Sequence, residues 1–471
     1  MRKSASKLIA LLVIVFTVTA FKSPSSINPI LKKKTVHGRK SADDENPPKT
    51  KKLPVEKAIL NIGFIKLTDM APLAIAKFLG YFEDEGLTVN LEAQANWKEI
   101  LDKVIENQLD GAQMLAGQPI AAAVGCGRQA QLVTSYSMDL NGNAITVSNE
   151  AWAKIKDSIP QEYGKPVHPI PSYALKPVLN FYKKTNKPFT FGIVGAYSTH
   201  NYQLRYWLAA GGINPGFYSN NNIQGSKGNS GADVQLNITA PPQMPETLKA
   251  GIINGYCVGE PWNQQAVEES IGVPIVTSKE IWKNHPEKVF VMTKEFVTKY
   301  PNTATAITKA LIKAGKWLDN PENRKEATRI LSKSAYVDGS KRVIDNSMLG
   351  TFEFEKGDVR LVPDFNIFFK YNATYPYYSD GIWFMTQMKR WGQIAEPKTN
   401  DWYISKIKEV YKPEIWFQAA KLLLEEGFII ESDIPVTDGF KPETNEFIDD
   451  KNYDGRKPVE YINSFKIGLK N

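Results

Sequence analysis

The sequence predicts an α/β protein built as two lobes in series, a bilobed clamp with a long helical tail. Three observations predict it. From about Lys57, apolar runs of strand length alternate with helix-length segments, the pattern of strands joined by crossover helices. The alternation comes in two series, the second beginning past Asn143. From about Pro261 the chain reads as mainly helical to Leu331, long enough to fold back on the first lobe.

Taken in order, residues 58–65 form an apolar run with one glycine, suited to a buried, mostly parallel sheet. Leu67-Thr68-Asp69 is a polar loop, and residues 72–80 are helical with Pro in the first turn and Gly at the end. Residues 87–91 alternate like a strand, 97–107 are helical and 110–115 are a strand again. Gly117-Gln118-Pro119 opens an apolar helix over 120–124. In the second series, strands are expected at 144–147, 190–194, 235–238 and 256–259, with Pro-broken helix over 152–182. Ser198-Thr199-His200-Asn201 opens a helix over 202–210, which Gly211-Gly212 closes. Residues 216–231, rich in Asn, Gly and Ser, read as an inserted surface loop. Residues 350–400 are aromatic and irregular, and amphipathic helices follow at 405–411 and 413–426. These readings place lobe 1 at 57–142, lobe 2 at 143–259, and the return to lobe 1 with the C-terminal extension at 260–471.

The charge is confined to one end. Residues 1–52 carry 12 Lys/Arg and three acids, leaving 46 bases and 47 acids in residues 53–471. A nucleic-acid binder spreads basic residues over a folded face; this chain does not. Arg2, Lys3 and Lys7 precede an apolar run from Leu8, and Val18-Thr19-Ala20 supplies small residues before a cleavage point. That is the layout of a secretory signal peptide over 1–20, cut after Ala20 or else kept as an anchor. Residues 21–56, rich in Lys, Ser, Pro and Asp, read as a flexible tether. The run from Leu8 to Ala20 is too short for a bilayer span of about 20 residues. The expected setting is the periplasm, with the tether holding the protein at the membrane where the leader stays uncut. Cys126 and Cys257 are the two cysteines, and two buried thiols or one bridge are equally open.

No enzyme motif is present. There is no Gly-x-Ser-x-Gly elbow, no phosphate-binding Gly-x-x-x-x-Gly-Lys-Ser/Thr, and no Gly-x-Gly-x-x-Gly after a strand. Cys126, between Gly125 and Gly127, lacks a thiolate-stabilising motif. Four histidines and no Cys-x-x-Cys leave little for a metal cluster, so neither metal nor cofactor is expected. Anion binding fares better. Thr199 and His200 stand at a strand-to-helix junction, where free N–H groups and the helix dipole favour an anion. Trp97 offers an indole N–H, a pure donor, at another helix start. Lys288, in His285-Pro286-Glu287-Lys288, reads by itself as a solvated surface charge.

The order of these blocks carries a resemblance. Residues 60–77, LNIGFIKLTDMAPLAIAK, resemble the opening strand, loop and helix of the nitrate/bicarbonate-binding proteins of ABC importers. Thr199-His200 with LRYWLAAGGINP over 204–215 is similar to that family's most recognisable block. APPQM at 240–244, GYCVGEPWN at 255–263 and IWKNHPEK at 281–288 continue it in order. The resemblance implies a type-II periplasmic-binding-protein fold, with an oxyanion held between the lobes and the helical extension packed on the first lobe. Carried over, the binding set is Trp97, Asn143, His200, Gly259 and Lys288, with Thr199 beside it. Asn143 stands where nitrate binders carry Gln, so the amide sits on a shorter stem.

Nitrate has three acceptor oxygens and no donor, so its pocket should be lined with N–H groups. Lys288 would supply the opposite charge. Bicarbonate adds one O–H and needs an acceptor, and the bicarbonate branch carries an acid and a metal where Lys288 stands. The implied function is an exported, monomeric solute-binding component. It would capture nitrate or nitrite by hinge closure and deliver it to a membrane permease. Bicarbonate binding, a nitrate sensor module and an enzyme on the same fold are the alternatives. The leader speaks against the sensor, and the missing Cys-rich motif of thiamine-precursor synthases speaks against the enzyme.

Overall fold

In a computed structural model, residues 51–218 and 228–471 are described. The expected leader, most of the tether and the middle of the 216–231 loop lie outside them. Sixteen strands occur among the described residues: β1 (Ile59–Phe64), β2 (Thr88–Ala93), β3 (Gly111–Leu115), β4 (Leu132–Ser137), β5 (Leu140–Asn141), β6 (Asn143–Ser148), β7 (Gln161–Glu162), β8 (Lys165–Pro166), β9 (Thr190–Ile193), β10 (Gln235–Ile238), β11 (Gly255–Gly259), β12 (Gly272–Thr277), β13 (Lys288–Thr293), β14 (Thr351–Glu353), β15 (Val359–Leu361) and β16 (Asn366–Ile367).

Ten of these make two five-stranded sheets, one per lobe, ordered β2-β1-β3-β13-β4 and β10-β9-β11-β6-β12. In the first, β1 runs parallel to β2 and β3, and β13 is antiparallel to β3 and β4. In the second, β9 runs parallel to β10 and β11, and β6 is antiparallel to β11 and β12. In each sheet the antiparallel member is the first strand after a crossing, β6 in lobe 2 and β13 in lobe 1. The chain passes from β4 to β6 at residues 138–142 and returns from β12 to β13 at 278–287. The central strands β3 and β11 are buried throughout, as strands covered on both faces by helices are.

The expected strands near 58–65, 87–91, 110–115, 144–147, 190–194, 235–238 and 256–259 are present. The stretch after Pro261 departs from the expectation. It contains β12 and β13, so the second lobe runs past 259 and includes the helix Trp262–Glu268 and β12. Pro274 disguises β12, yet β12 is the edge strand of its sheet, the place where a strand tolerates proline. Residues 51–56 also differ from a free tether. Glu56 accepts hydrogen bonds from the Asn302 and Thr303 amides, capping the helix Pro301–Leu318, and the Lys51 amide donates to Glu426.

The C-terminal extension packs on both lobes rather than the first alone. The helix Pro413–Glu425 lies along Pro301–Leu318 in lobe 1, and Lys341–Met348 lies against Trp262–Glu268 in lobe 2. The helix Tyr378–Arg390 touches both Gly117–Val124 and Thr199–Ala210. Its Trp383 packs within 4.6 Å of Trp282 between ring centroids, and Phe447 stacks on Trp282 at 5.1 Å. The irregular 350–377 stretch backs the hinge: β16 pairs with β5 in the first crossing, and Asp319 accepts from the Phe368, Phe369 and Lys370 amides. Cys126 and Cys257 are both free and buried.

Gly315 tests that backing. A Cβ there would stand 2.5 Å from the Phe368 carbonyl oxygen and 2.9 Å from the Tyr136 hydroxyl. Gly315→Ala should therefore lower stability by roughly 1–3 kcal/mol, although alanine is the better helix former by about 1 kcal/mol. Urea unfolding measures it; an unchanged midpoint would mean that the Phe368 segment yields freely.

Candidate functional site

The two sheets aim their strand ends at one another, and chemistry-bearing side chains gather where open α/β sheets hold ligands. From lobe 1 come Asp69 after β1 and Trp97 after β2; from lobe 2 come Gly259 at the end of β11 and His200 after β9. Asn143 begins β6 and Lys288 begins β13, so each leaves a hinge crossing. The β6–β11 register sets Asn143 directly opposite Gly259.

Local structure fixes these groups. Asn96 caps the helix Trp97–Ile105 by accepting from the Lys98 and Glu99 amides. Gln118 accepts from the Leu115 amide and donates to the Trp97 carbonyl. Ser198 caps Thr199–Ala210 through the Asn201 amide. The Lys288 amide donates to Asp139 Oδ1 in the first crossing, while its Nζ lies 5.4 Å from the centroid of the Trp97 ring.

All six predicted residues lie at this seam or on its wall, and Lys288 is fully buried, not a solvated surface charge. Thr199 does a different job from the one expected: its hydroxyl donates to the Glu287 carbonyl at 3.3 Å, tying lobe 2 to the second crossing. Lys288 is also not a lone cation. Its ammonium binds Asp69 Oδ2 at 2.8 Å and Glu287 Oε1, with Asp139 beside its amide. Asp69, Glu287 and Asp139 are absent from the set taken from the sequence. Asp69 carried one signal, an acid in the loop after the first parallel strand, and Glu287 another, adjacency to Lys288.

The electrostatics follow from burial and these pairs. Burial pushes the Asp69 carboxyl up to about 6 against the pull of the Lys288 ammonium, with Glu287 adding to the rise. Burial, then the Asp69 charge, raises Asp139 well above the carboxylate range. Burial would raise Glu287 too, but Lys288, His200 and His285 hold it at about 2. Burial would lower Lys288, yet the charges of Asp69, Glu287 and Asp139 keep it above its ordinary value. Burial pushes His200 down to about 3, Glu287 opposing. At neutral pH the seam therefore holds the Lys288 ammonium, the Asp69 and Glu287 carboxylates and a neutral His200, with Asp139 shifted toward its protonated form by burial and the Asp69 charge.

Polar atoms here lack protein partners among the described residues. Trp97 Nε1, both side-chain polar atoms of Asn143, His200 Nδ1 and Glu287 Oε2 are buried without a hydrogen bond. His200 Nε2 stands 3.3 Å from Glu287 Oε1, without hydrogen-bond alignment. A buried polar group left unpaired costs about 1–3 kcal/mol, so several together at one seam mark a place for a small polar guest. Among the described residues, no group of three or more His, Cys, Asp or Glu could hold a metal ion. Nor is any helix long and apolar enough to cross a membrane. Three open surface clefts of about 560, 580 and 600 Å³ lie elsewhere and do not include these residues; the seam itself is sealed. Lobe 1 meets lobe 2 where the Thr68 amide donates to the Glu260 carbonyl at 2.8 Å, and where Gly117 lies against the Tyr197 carbonyl.

His168, His200 and His285 all have ring pKa values pushed down by burial, to about 3, 3 and 4. NMR titration should show no protonation step for any of the three between pH 5 and 8; a His200 step near 6.5 would mean an open, solvated seam.

A family model described as the NMT1-like family matches residues 53–332. The nitrate/nitrite binding protein NrtA of a Nostoc species is 33% identical over 422 residues, 88% of this chain and 87% of that protein. Two relatives are longer: the nitrate import ATP-binding protein NrtC of a Synechocystis species is 37% identical over 78% of this chain and 51% of its own. The bicarbonate transport ATP-binding protein CmpC of Synechococcus elongatus is 32% identical over 88% of this chain and 56% of its own. This chain spans about half the length of each. Among solved structures, the periplasmic nitrate-binding protein NrtA from Synechocystis superposes with a TM-score of 0.75 at 29% identity, covering 88% of this chain and all of that one. With its two crossed lobes and shared strand-end seam, the chain belongs to the NMT1-like family and has the fold of the periplasmic binding proteins.

Proposed function

We propose that this chain is the exported solute-binding component of an ABC importer, that it captures nitrate between its lobes, and that it hands the anion to a membrane permease. The observation that carries the reading is the set of unpartnered buried donors, Trp97 Nε1, Asn143 Nδ2 and His200, around the Lys288 ammonium. Nitrate is planar, offers three acceptor oxygens and donates nothing, so indole, amide, imidazole and ammonium N–H groups suit it together. The relatives named for nitrate support the same choice. Its role would be binding and delivery, with no bond made or broken.

Bicarbonate is the second reading, and specific atoms favour it: Asn143 Oδ1 and Asp69 Oδ2, both 3.3 Å from a Cβ built on Gly259, are acceptors that its O–H could use. Nitrite would use the nitrate donors with one oxygen fewer.

Isothermal titration of the full chain with nitrate, nitrite, bicarbonate and sulfate tests the reading. Nitrate should bind, and bicarbonate binding with no nitrate heat would overturn it. Trp97→Phe keeps an aromatic ring and removes the N–H, so nitrate affinity should fall roughly 5- to 150-fold, the effect of one buried oxygen left unpaired at about 1–3 kcal/mol. Gly117→Ala tests closure: a Cβ there collides with the Tyr197 carbonyl across the seam. The variant should stay folded by circular dichroism yet bind nitrate at least about tenfold more weakly, a shift of ~1.4 kcal/mol. Equal affinity would show that capture does not require this contact.

A further inference from the structure

A sealed seam that already holds two carboxylates against one ammonium is poorly matched to a further negative charge. Lys288 is buried with Asp69 and Glu287 on its ammonium. An entering anion would leave three negative charges around one positive, in a place where screening by water is weak. Geometry shows which carboxylate can give way.

Glu287 gives way least: although its Oε2 has no protein partner, its Oε1 serves Lys288 and faces the His200 ring, and Lys288, His200 and His285 together hold its carboxyl down at about 2. Asp139 is spent on the Lys288 amide rather than its ammonium, and burial already moves its carboxyl toward the protonated form. Asp69 is placed differently. Its Oδ1 accepts from Gln113 Nε2, and the Gln113 amide is fixed by the Ile65 amide donating to its Oε1 at 2.9 Å. Oδ1 is therefore held as an acceptor. Oδ2 binds Lys288 on one side and on the other faces the surface of Gly259 that Asn143 Oδ1 also approaches.

We propose that Asp69 is the proton-accepting residue of the seam: its Oδ2 takes one proton from solvent as the anion enters, so that the protein captures anion and proton together. The balance is simple: protein, anion and one H⁺ from bulk water or buffer give a complex of unchanged net charge. The new O–H can donate into the seam, and the Lys288 N–H that had served Oδ2 is released toward the anion. The charged and titratable groups facing Asp69 are Lys288, Glu287 and Asp139, with His200 and His285 beyond Glu287. Burial already holds the Asp69 carboxyl near 6, poised for this change. The inference rests on the proposed capture of nitrate and adds the proton that accompanies it.

The test is titration calorimetry of the full chain with nitrate at pH 7.5, in phosphate and in Tris, whose different ionisation heats count protons exchanged. About one proton should be taken up per nitrate. Above the Asp69 value of about 6, the Kd should rise about tenfold per pH unit until the higher value in the complex is passed. In Asp69→Asn, uptake should fall to near zero and the affinity should lose its pH dependence. Nitrate binding with no proton exchange, or uptake that persists in Asp69→Asn, overturns the inference and leaves the nitrate reading standing. Absence of any nitrate heat overturns both. If Asp69→Asn does not fold, infrared difference spectra of the unsubstituted protein decide: nitrate should raise a protonated-carboxyl C=O band that shifts on ¹³C-aspartate labelling, and no such band overturns the inference.

Discussion

An ammonium buried between carboxylates is the constraint around which this molecule is arranged. Lys288 sits at the first residue of β13, where the chain re-enters lobe 1, and its charge lies away from bulk water. Removing a charge from water costs several kcal/mol unless close partners and good hydrogen bonds offset it. Those partners come from separate places: Asp69 from the loop after β1, Glu287 from the second crossing, and Asp139 from the first. Holding them around one lysine requires that both crossings and the first strand end at one point, and the two five-stranded sheets, each with the first strand after a crossing set antiparallel, deliver that.

The same arrangement explains why the seam combines donors with acids. The donors, Trp97, Asn143 and His200, arrive on helix starts and strand ends whose backbone is fixed by caps and register. The acids keep the lysine charged and oriented. His200 stays neutral because burial outweighs the Glu287 charge, so it contributes a hydrogen bond without a second cation. On the proposed reading, a guest would be met by directional N–H groups more than by net positive charge, a condition that would favour small flat ions over larger multivalent ones.

Much of this was legible in the sequence. The strand–helix alternation and apolar runs located seven strands of the two lobes, and ordered motifs brought Trp97, Asn143, His200, Gly259 and Lys288 to one seam. What was missed has physical causes. β12 carries a proline and β13 opens on a lysine, and each looks unlike a strand until its edge or hinge position is known. By itself Lys288 read as a surface charge, and only the family resemblance put it in the pocket, because burial of a lysine depends on partners far along the chain. Asp69, 219 residues away in number, becomes its partner only after folding. Aromatic residues of 350–400 showed a core but not which surface they covered; Trp383 and Trp391 prove to be fully buried, Trp383 against Trp282, Tyr202 and Tyr206.

Gln393, just beyond the helix Tyr378–Arg390, straddles the lobes. Its carbonyl accepts from the Cys126 thiol in lobe 1, while its side chain donates to the Ala196 carbonyl and accepts from the Tyr202 hydroxyl in lobe 2. A segment that never meets the guest is thus stitched to both halves at once. If the lobes part, the tail must let go of at least one of them, giving up either the Cys126 bond or the Ala196 and Tyr202 bonds, so on the proposed capture the gape at rest would be governed from the rear of the molecule, and changes in the tail should retune how fast the mouth loads and empties.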